Sequence, residues 1–180
     1  MPFLAESVFG LTTSNTVQRL REYLTVLWAV GDDRTVDFHG SQLTAVDPSV
    51  LPVALAAATP FPLYVAAMGP RALQVTGELA DGTLPARAGP RTIEGFIAPT
   101  ITRASAATSL ALYDSIPLYQ KVFAREGVSS AVDLPVIGPA ETVTRRLKSY
   151  LDAGATDLAL VPLQTEPADL RRLYEVAAAF

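Results

Sequence analysis

The sequence predicts a helix-rich α/β fold with too few strands to close an eight-stranded barrel. Two compact apolar runs, 63–67 and 157–161, lack polar alternation, which is typical of strands buried on both faces of a parallel sheet. Strand and helix signals alternate along the chain, which favours an α/β architecture. A closed barrel takes about 250 residues, and this chain has 180. We therefore expect one α/β domain over residues 1–180 that cannot close such a barrel by itself.

The N-terminal part predicts a helix and then an extended segment. Residues 14–30 carry N-cap oxygens and a helical apolar stripe, and Gly31 ends the helix. Residues 35–45 alternate apolar and polar side chains, which predicts a hairpin or another extended excursion. Prolines between 48 and 62 predict a loop with a helical turn. The stripe of the first helix consists of Val17, Leu20, Leu24, Leu27 and Trp28.

The rest of the chain predicts strand–helix units. The strand 63–67 precedes Pro70, which suits the first turn of a helix, and an Asp-Gly pair at 81–82 predicts a turn into a second short strand at 83–84. The strand 157–161 follows a helix that Gly154 closes. Four further helices are expected. The first begins at Pro90, bends near Pro99 and directs Ile93, Phe96, Ile97 and Ile101 inward. The second covers 109–126 with a kink near Pro117, the third begins at Gly138 and Pro139, and the fourth begins at Pro167.

Charge and composition exclude several classes of function. Eighteen acidic and fourteen basic side chains give a net charge of −4 without a basic cluster, so we expect no nucleic-acid partner. The chain has no cysteine, which excludes disulfides, thiolate metal sites and a cysteine nucleophile. No apolar run reaches the roughly 20 residues that span a bilayer, and the N-terminus lacks a secretory signal. We expect a cytoplasmic protein without a metal site and without a membrane segment.

The junction after the 63–67 strand is the best candidate for a binding site. Backbone N–H groups and the positive end of a helix dipole favour phosphate at such a junction, and sites in α/β proteins lie at the C-terminal ends of strands. Small side chains would let a planar cofactor approach the backbone; equally, they could serve only strand–helix packing. The residues of this turn are Ala66, Ala67, Met68, Gly69 and Pro70.

Other polar positions are weaker candidates. Thr83 could bond a phosphate or a ring edge, whereas the preceding Asp81 is more often only a turn residue. His39, the only histidine, has no acidic or nucleophilic partner at a telling spacing, so a surface position is favoured over a general base. Arg87 and Arg91 could bind an anion, although a helix start or a position facing water suits them better. Motifs of hydrolases and nucleotide triphosphatases do not occur.

Six short segments in chain order carry a resemblance to a known family. They are Leu-Arg-Glu-Tyr-Leu at 20–24, Val-Asp-Phe-His-Gly at 36–40, Val-Ala-Ala-Met-Gly-Pro-Arg at 65–71, Gly-Glu-Leu-Ala-Asp-Gly-Thr at 77–83, Ala-Gly-Pro-Arg-Thr-Ile at 88–93 and Asp-Ala-Gly-Ala-Thr-Asp at 152–157. Together they resemble luciferase-like monooxygenases, in particular the branch that uses the deazaflavin coenzyme F420 and is common in actinobacteria.

The resemblance implies a fold, a cofactor and a set of contact residues. The fold is a TIM barrel with insertions, and the chemistry is hydride transfer or monooxygenation with F420, or alternatively FMN. The turn at 66–70 is expected to contact the cofactor through its backbone, and 81–83 to lie at the next strand on the same mouth of the barrel. The cofactor-binding residues implied are Ala66, Ala67, Met68, Gly69, Pro70, Asp81, Gly82 and Thr83.

Two departures from the family pattern shape the expected function. Residues 9–24 resemble a point near the middle of the family's chain, so we expect the C-terminal portion of a barrel, without the strands that supply the usual catalytic residues. One βα unit is also expected to be missing at 107–112, which joins directly two segments that the family separates. Which residues are catalytic, and which small molecule is the substrate, stay open.

Two main hypotheses follow, with a third beside them. The first is a truncated oxidoreductase that still binds F420 or a flavin, as a homo-oligomer or with a partner chain that covers its exposed strand edges. The second is a non-catalytic degenerate paralogue, at most an interaction or cofactor-binding module, from which cofactor binding has been lost in part or whole. The third is an α/β domain whose site was built anew.

Overall fold

The described part of the computed structural model comprises Ser7 and residues 14–31, 35–47, 61–163 and 167–178. These residues form two compact units, Met1–Ala86 and Arg87–Phe180. The predicted loop over 48–60 lies outside the described residues. The prediction of one domain over 1–180 stays a prediction, and each unit is described by itself.

The first unit contains the elements that the sequence predicts, in the predicted order. Its first helix ends at Gly31 as expected, and the segment around His39 is a hairpin of two antiparallel strands. A short parallel strand pair follows, with a helix between its strands. The elements are α1 (Thr16–Gly31), β1 (Asp37–His39), β2 (Thr44–Val46), β3 (Tyr64–Val65), α2 (Pro70–Leu79) and β4 (Gly82–Thr83).

The core of this unit lies where α1 packs against α2. Arg21 forms an ion pair with Glu78 across the two helices. Trp28 Nε1 donates a 2.7 Å hydrogen bond to the carbonyl of Leu79, which is one of the last carbonyls of α2 and has no partner within the helix. These contacts fix the helix that carries the predicted binding turn at its start. The buried core residues are Leu24, Val36, Ala67, Leu73, Val75 and Thr76.

The parallel pair β3–β4 is smaller and more exposed than the sequence predicts. Tyr64 lies opposite Gly82 and Val65 opposite Thr83. The expectation of a strand buried on both faces is wrong, because Tyr64 is 57% exposed. Parallel strands are buried only when neighbouring strands and helices cover both faces, and the described residues form a sheet of two strands here.

The second unit is helical in the described residues. A helical turn at Pro90–Thr92 continues through a π-helical segment, Ile93–Ile97, into α3 (Ala98–Asp114). The backbone N–H of Ala98 donates to the carbonyl of Ile93, so the widened turn stands directly before Pro99, at the predicted bend. Proline has no N–H and crowds the carbonyl four residues earlier, which is a usual cause of such a bulge. The remaining elements are α4 (Pro117–Glu126), a 3₁₀ turn (Ala131–Asp133), α5 (Ala140–Asp152) and α6 (Pro167–Ala177).

Three expectations for this unit are wrong. The helix over 109–126 is not one kinked helix; α3 ends at Asp114 and α4 begins at Pro117, because proline is compatible with the first turn of a helix and not with its interior. Ile93 and Phe96 are about 40% exposed rather than inward, while Ile97 is buried. The run 157–161 is not a strand and Val161 is 86% exposed, since no strand within the described ranges pairs with it.

Polar contacts hold the 3₁₀ turn against α3. The Asp114 carboxylate accepts hydrogen bonds from Ser130 Oγ at 2.8 Å and from the backbone N–H of Ala131 at 2.7 Å. Arg103 pairs with Asp133 at 2.5 Å. Arg103 and Asp114 lie eleven residues apart, close to three full turns of helix, so one face of α3 makes both contacts.

The end of α5 confirms the predicted closure at Gly154. This residue has φ of 102°, which glycine adopts without the Cβ clash of other residues. The N–H of Gly154 donates to the carbonyl of Leu151, and the N–H of Ala155 donates to that of Tyr150. This pair of bonds is a Schellman motif. Among the helices of the described ranges, none combines the length and the apolar character needed to cross a membrane.

Candidate functional site

The turn at 66–70 joins the end of β3 to the start of α2 and faces solvent. Ala66, Met68, Gly69 and Pro70 are exposed, and only Ala67 is buried. Gly69 is the N-cap residue of α2 but supplies no side-chain cap, so the first N–H groups of the helix have no partner within it. The positive end of the helix dipole lies at the same place. We call residues 66–70 the β3–α2 turn.

Gly69 leaves open space at the centre of this turn. A Cβ placed there would meet no atom within 4 Å, and the backbone is extended, with φ of −82° and ψ of 150°. The glycine is therefore not required by packing or by a left-handed conformation. Its effect is to leave the backbone accessible to a group that approaches from solvent.

Thr83 holds the start of the β3–α2 turn in place. Its Oγ1 donates a 2.8 Å hydrogen bond to the carbonyl of Val65 and accepts a 3.4 Å bond from the N–H of Ala67. The hydroxyl is thus engaged with the backbone of the neighbouring strand. The structure brings this predicted site residue beside the turn, in a position that orients the turn's backbone.

Asp81 and Gly82 lie at the other end of the strand pair. One carboxylate oxygen of Asp81 accepts a 2.7 Å hydrogen bond from the N–H of Leu63, and the N–H of Asp81 donates to the carbonyl of Leu63 at 2.9 Å. The ring of Tyr64 lies over Gly82, where a Cβ would come within 2.9 Å of it. The predicted site residues therefore form two groups. Thr83 lies with residues 66–70 at the turn, whereas Asp81 and Gly82 lie where the two strands begin.

The remaining sequence candidates have exposed side chains. His39 Nε2 lies 3.0 Å from Asp37 Oδ1, and their side chains are 68% and 73% exposed, so this is a surface pair two residues apart on β1. Arg87 has a left-handed φ of 57° and is exposed, as is Arg91. Within the described ranges, no three His, Asp or Glu side chains come together as a metal site would require.

Glu22, a side chain of the first unit that accepts five hydrogen bonds, was not identified from the sequence. Glu22 lies on the side of α1 opposite its apolar stripe. It is nevertheless only 3% exposed, because the hairpin turn covers that side of the helix. It accepts hydrogen bonds from Gln18 Nε2 at 2.9 Å, from the N–H and hydroxyl of Ser41 at 2.9 Å each, and from the N–H groups of Gln42 and Leu43 at 2.8 Å. Helical periodicity offers no signal for such a residue.

These hydrogen bonds stabilise the ionised form of Glu22. The bond from Gln18, followed by those from Gln42 and Ser41, lowers the pKa of the carboxyl from 4.5 to about 2, although burial by itself raises it. A carboxylate accepts all of these bonds, whereas a protonated acid must give up at least one of them. Glu22 therefore holds the β1–β2 hairpin against α1 more strongly when it is charged than when it is protonated.

We expect Glu22→Gln to lower the melting temperature at pH 7 and to lose this effect in acid. The folded-state pKa lies below the unfolded one, so the stabilisation is fully present above about 4.5 and disappears as the pH falls towards about 2. Thermal melts of both proteins between pH 7 and pH 2 measure the gap, with exposed Glu126→Gln as the control. A gap that stays constant across this range would contradict the assignment.

Gly40 is required by the close approach of this carboxylate. A Cβ at Gly40 would lie 2.5 Å from Glu22 Cδ and 2.6 Å from Phe38 Cε1. The carboxyl cannot yield easily, because backbone N–H groups of the turn hold both of its oxygens. The N–H of Gly40 also closes the turn by donating to the carbonyl of Leu43 at 2.9 Å.

Comparison with known protein families identifies the chain. Residues 2–111, more than half of its 180 residues, match the model of the family described as luciferase-like monooxygenase. The chain belongs to the luciferase-like monooxygenase family. No curated protein and no solved structure matches it.

The extent of the family match bears on the candidate site. The β3–α2 turn and the β3–β4 pair both lie within the matched residues 2–111. The match ends inside the segment 107–112, where the sequence predicts a missing βα unit, and α3 runs through this segment without interruption. Membership of the luciferase-like family supports an oxidoreductase function of the monooxygenase type, and members of this family generally use a flavin or F420.

Proposed function

We propose that this luciferase-like chain binds F420, or alternatively FMN, at the β3–α2 turn, and that it functions as an oxidoreductase. The observation that carries the proposal is the open, exposed turn at Gly69, which lies at the end of a parallel strand inside the family-matched segment. When bound, the cofactor would supply hydride-transfer chemistry. The protein's own contribution is to position the cofactor and to surround it with suitable charges.

The residues of the turn fit a phosphate-bearing cofactor. The N–H groups of Arg71 and Ala72 belong to the first turn of α2 and have no partner within the helix, so they can donate to phosphate oxygens with the helix dipole behind them. The Arg71 side chain is exposed at the same helix start and adds a positive charge. Thr83 holds the turn's backbone through the N–H of Ala67, the one buried residue of the turn.

We further propose that the rest of the pocket comes from additional strands of a second chain, in a homo-oligomer or with a partner. Parallel sheets are normally covered on both faces, and a strand pair alone is marginally stable in water. In the described residues, β3 pairs with β4 alone, and Tyr64 and Leu84 are 57% and 62% exposed. An uncovered pair of this kind invites pairing with another chain.

A second candidate function is a cofactor-binding or interaction module without catalysis of its own. It is favoured by the position of Asp81, the one acidic residue among the predicted cofactor-binding residues. Asp81 is engaged with the N–H of Leu63 at the far end of the strand pair, so it is not directed towards a ligand at Gly69. Under this alternative the chain is a degenerate paralogue that retains family packing but leaves acid–base chemistry to other proteins.

Titration with F420 and with FMN, followed by fluorescence, tests cofactor binding. We expect Gly69→Leu to weaken binding by about tenfold or more, because the new side chain occupies the space through which the backbone is reached. The matched control is Gly89→Leu. Gly89 also is an N-cap residue before a Pro-Arg pair, and a Cβ there also meets no atom within 4 Å, so both variants change the helix start alike.

The outcomes separate the two candidate functions. Binding that Gly69→Leu weakens and Gly89→Leu leaves unchanged supports the β3–α2 turn as the site. Absence of binding to both cofactors, in monomer and oligomer alike, overturns the proposal. A well-defined dimer in size-exclusion chromatography supports a completed pocket, whereas polydisperse aggregates favour the non-catalytic alternative.

A further inference from the structure

An open groove of about 470 Å³ lies in the second unit, outside the family-matched residues. One wall is the segment that follows the 3₁₀ turn, and the other is a face of α5. A volume of this size is within the range of small-molecule sites. The lining residues are Asp133, Leu134, Pro135, Val136, Ile137, Thr142, Arg145, Arg146 and Ser149.

The α5 wall is a single polar stripe. Thr142, Arg145, Arg146 and Ser149 follow the spacing i, i+3, i+4, i+7, which places them on one side of a helix. Leu147 is buried on the other side, so the helix is held with this stripe towards the groove. The stripe therefore presents two guanidinium groups between two hydroxyl groups.

The charge of the groove is positive although the chain as a whole carries −4. Asp133 is the acidic residue of the lining, and Arg103 neutralises it at 2.5 Å. Arg145 and Arg146 are both exposed, and neither has a carboxylate partner in the described part of the chain. The Arg146 guanidinium lies 5.7 Å from the centre of the Tyr150 ring, a contact that favours one orientation of the side chain.

The facing wall is apolar. Leu134, Pro135, Val136 and Ile137 are consecutive and each is half-buried, so a ligand between the two walls would contact hydrocarbon on one side and guanidinium donors on the other. Guanidinium groups bind carboxylates and phosphates through paired, charge-assisted hydrogen bonds. We propose that this groove binds a small organic oxyanion, a carboxylate or phosphate monoester with an apolar body.

Titration of ¹⁵N-labelled protein with phenyl phosphate tests the groove. Inorganic phosphate tests the anionic head alone, and benzyl alcohol tests a neutral apolar body. Phenyl phosphate is expected to bind more tightly than either and to shift the amide signals of residues 136–137 and 142–149. The double variant Arg145→Gln/Arg146→Gln should weaken its binding by about tenfold or more, because both charged donors are removed.

The matched control is Arg171→Gln/Arg172→Gln on α6, an adjacent pair of exposed arginines that does not line the groove. Unchanged binding in this control, together with the loss in the α5 variant, supports the proposal. Equal losses in both double variants, or equally tight binding of inorganic phosphate, would overturn the proposal, because either result indicates only a general attraction to positive charge. Signal changes centred on other residues would overturn it as well, because they place the ligand elsewhere. Far-UV circular dichroism verifies that both variants are folded.

Discussion

Phe123→Ala should destabilise the second unit by about 3–5 kcal/mol, the cost of removing a buried phenyl ring and leaving a cavity. Phe123 is 2% exposed and is the largest fully buried side chain in the described residues. Its ring lies 6.4 Å from that of Tyr119 on the same helix. Because domains are stable by only about 5–15 kcal/mol, this single change should remove a large part of the unit's stability.

Urea denaturation followed by far-UV circular dichroism measures this effect. For a slope of about 2 kcal/mol per molar urea, the midpoint of the affected transition should fall by about 2 M. The control is Leu118→Ala on the same helix, where the side chain is 68% exposed and the expected change is within about 0.5 kcal/mol. Equal effects of the two substitutions would show that α4 does not bury the face that carries Phe123.

Leu73→Ala is expected to cost about 3–5 kcal/mol in the first unit and to impair cofactor binding with it. Leu73 is 0% exposed and lies in the first turn of α2, where its N–H donates to the carbonyl of Gly69 at 2.9 Å. Large-to-small changes at such positions combine lost burial with a residual cavity. Since the same helix start forms one side of the β3–α2 turn, loosening it displaces the backbone donors proposed to hold phosphate.

The single tryptophan provides a direct measurement of this change. Trp28 lies on α1 and is hydrogen-bonded to the end of α2, so its emission in urea reports the unfolding of the first unit. Val46→Ala is the control, because Val46 is 53% exposed and belongs to the β1–β2 hairpin rather than to the strand pair proposed to meet a second chain. A variant Leu73→Ala that unfolds at the same urea concentration as the parent protein would contradict the packing of α2 described above.

Helix boundaries were predictable because local chemistry determines them. Pro70 begins α2, Gly154 closes α5 with a left-handed residue, and α1 ends at Gly31. In each case one residue and its immediate neighbours decide the backbone conformation. The hairpin was predictable for a similar reason, since its alternation and its turn are contained in about a dozen residues.

Strand content and strand burial were not predictable in the same way. The runs 63–67 and 157–161 look alike in composition, yet β3 finds a partner strand in β4 and the second run finds none in the described residues. A strand exists only where a second segment supplies hydrogen bonds, and for a parallel pair such as β3–β4 that segment is distant in sequence. The exposure of Tyr64 has the same origin.

The position of the β3–α2 turn was predictable from the sequence, whereas the separate contacts of Thr83 and Asp81 were not. The turn around Gly69 carries a local signal, because small residues stand between a strand and a proline-initiated helix. The engagement of Thr83 with Val65, and of Asp81 with Leu63, depends on hydrogen bonds between residues 18 apart in the chain. Nothing in residue spacing distinguishes these two roles.

Glu22 and Gly40 limit each other's replacement over evolutionary time. A side chain at position 40 would enter the space of the Glu22 carboxyl group, so relatives with glutamate at the first position should keep glycine at the second. Alanine or serine at position 40 should be found where the residue at 22 is shorter and the ring of Phe38 is also replaced or displaced. The two positions are 18 apart in sequence, and their joint variation in an alignment would mark the hairpin–helix contact in relatives without a structure.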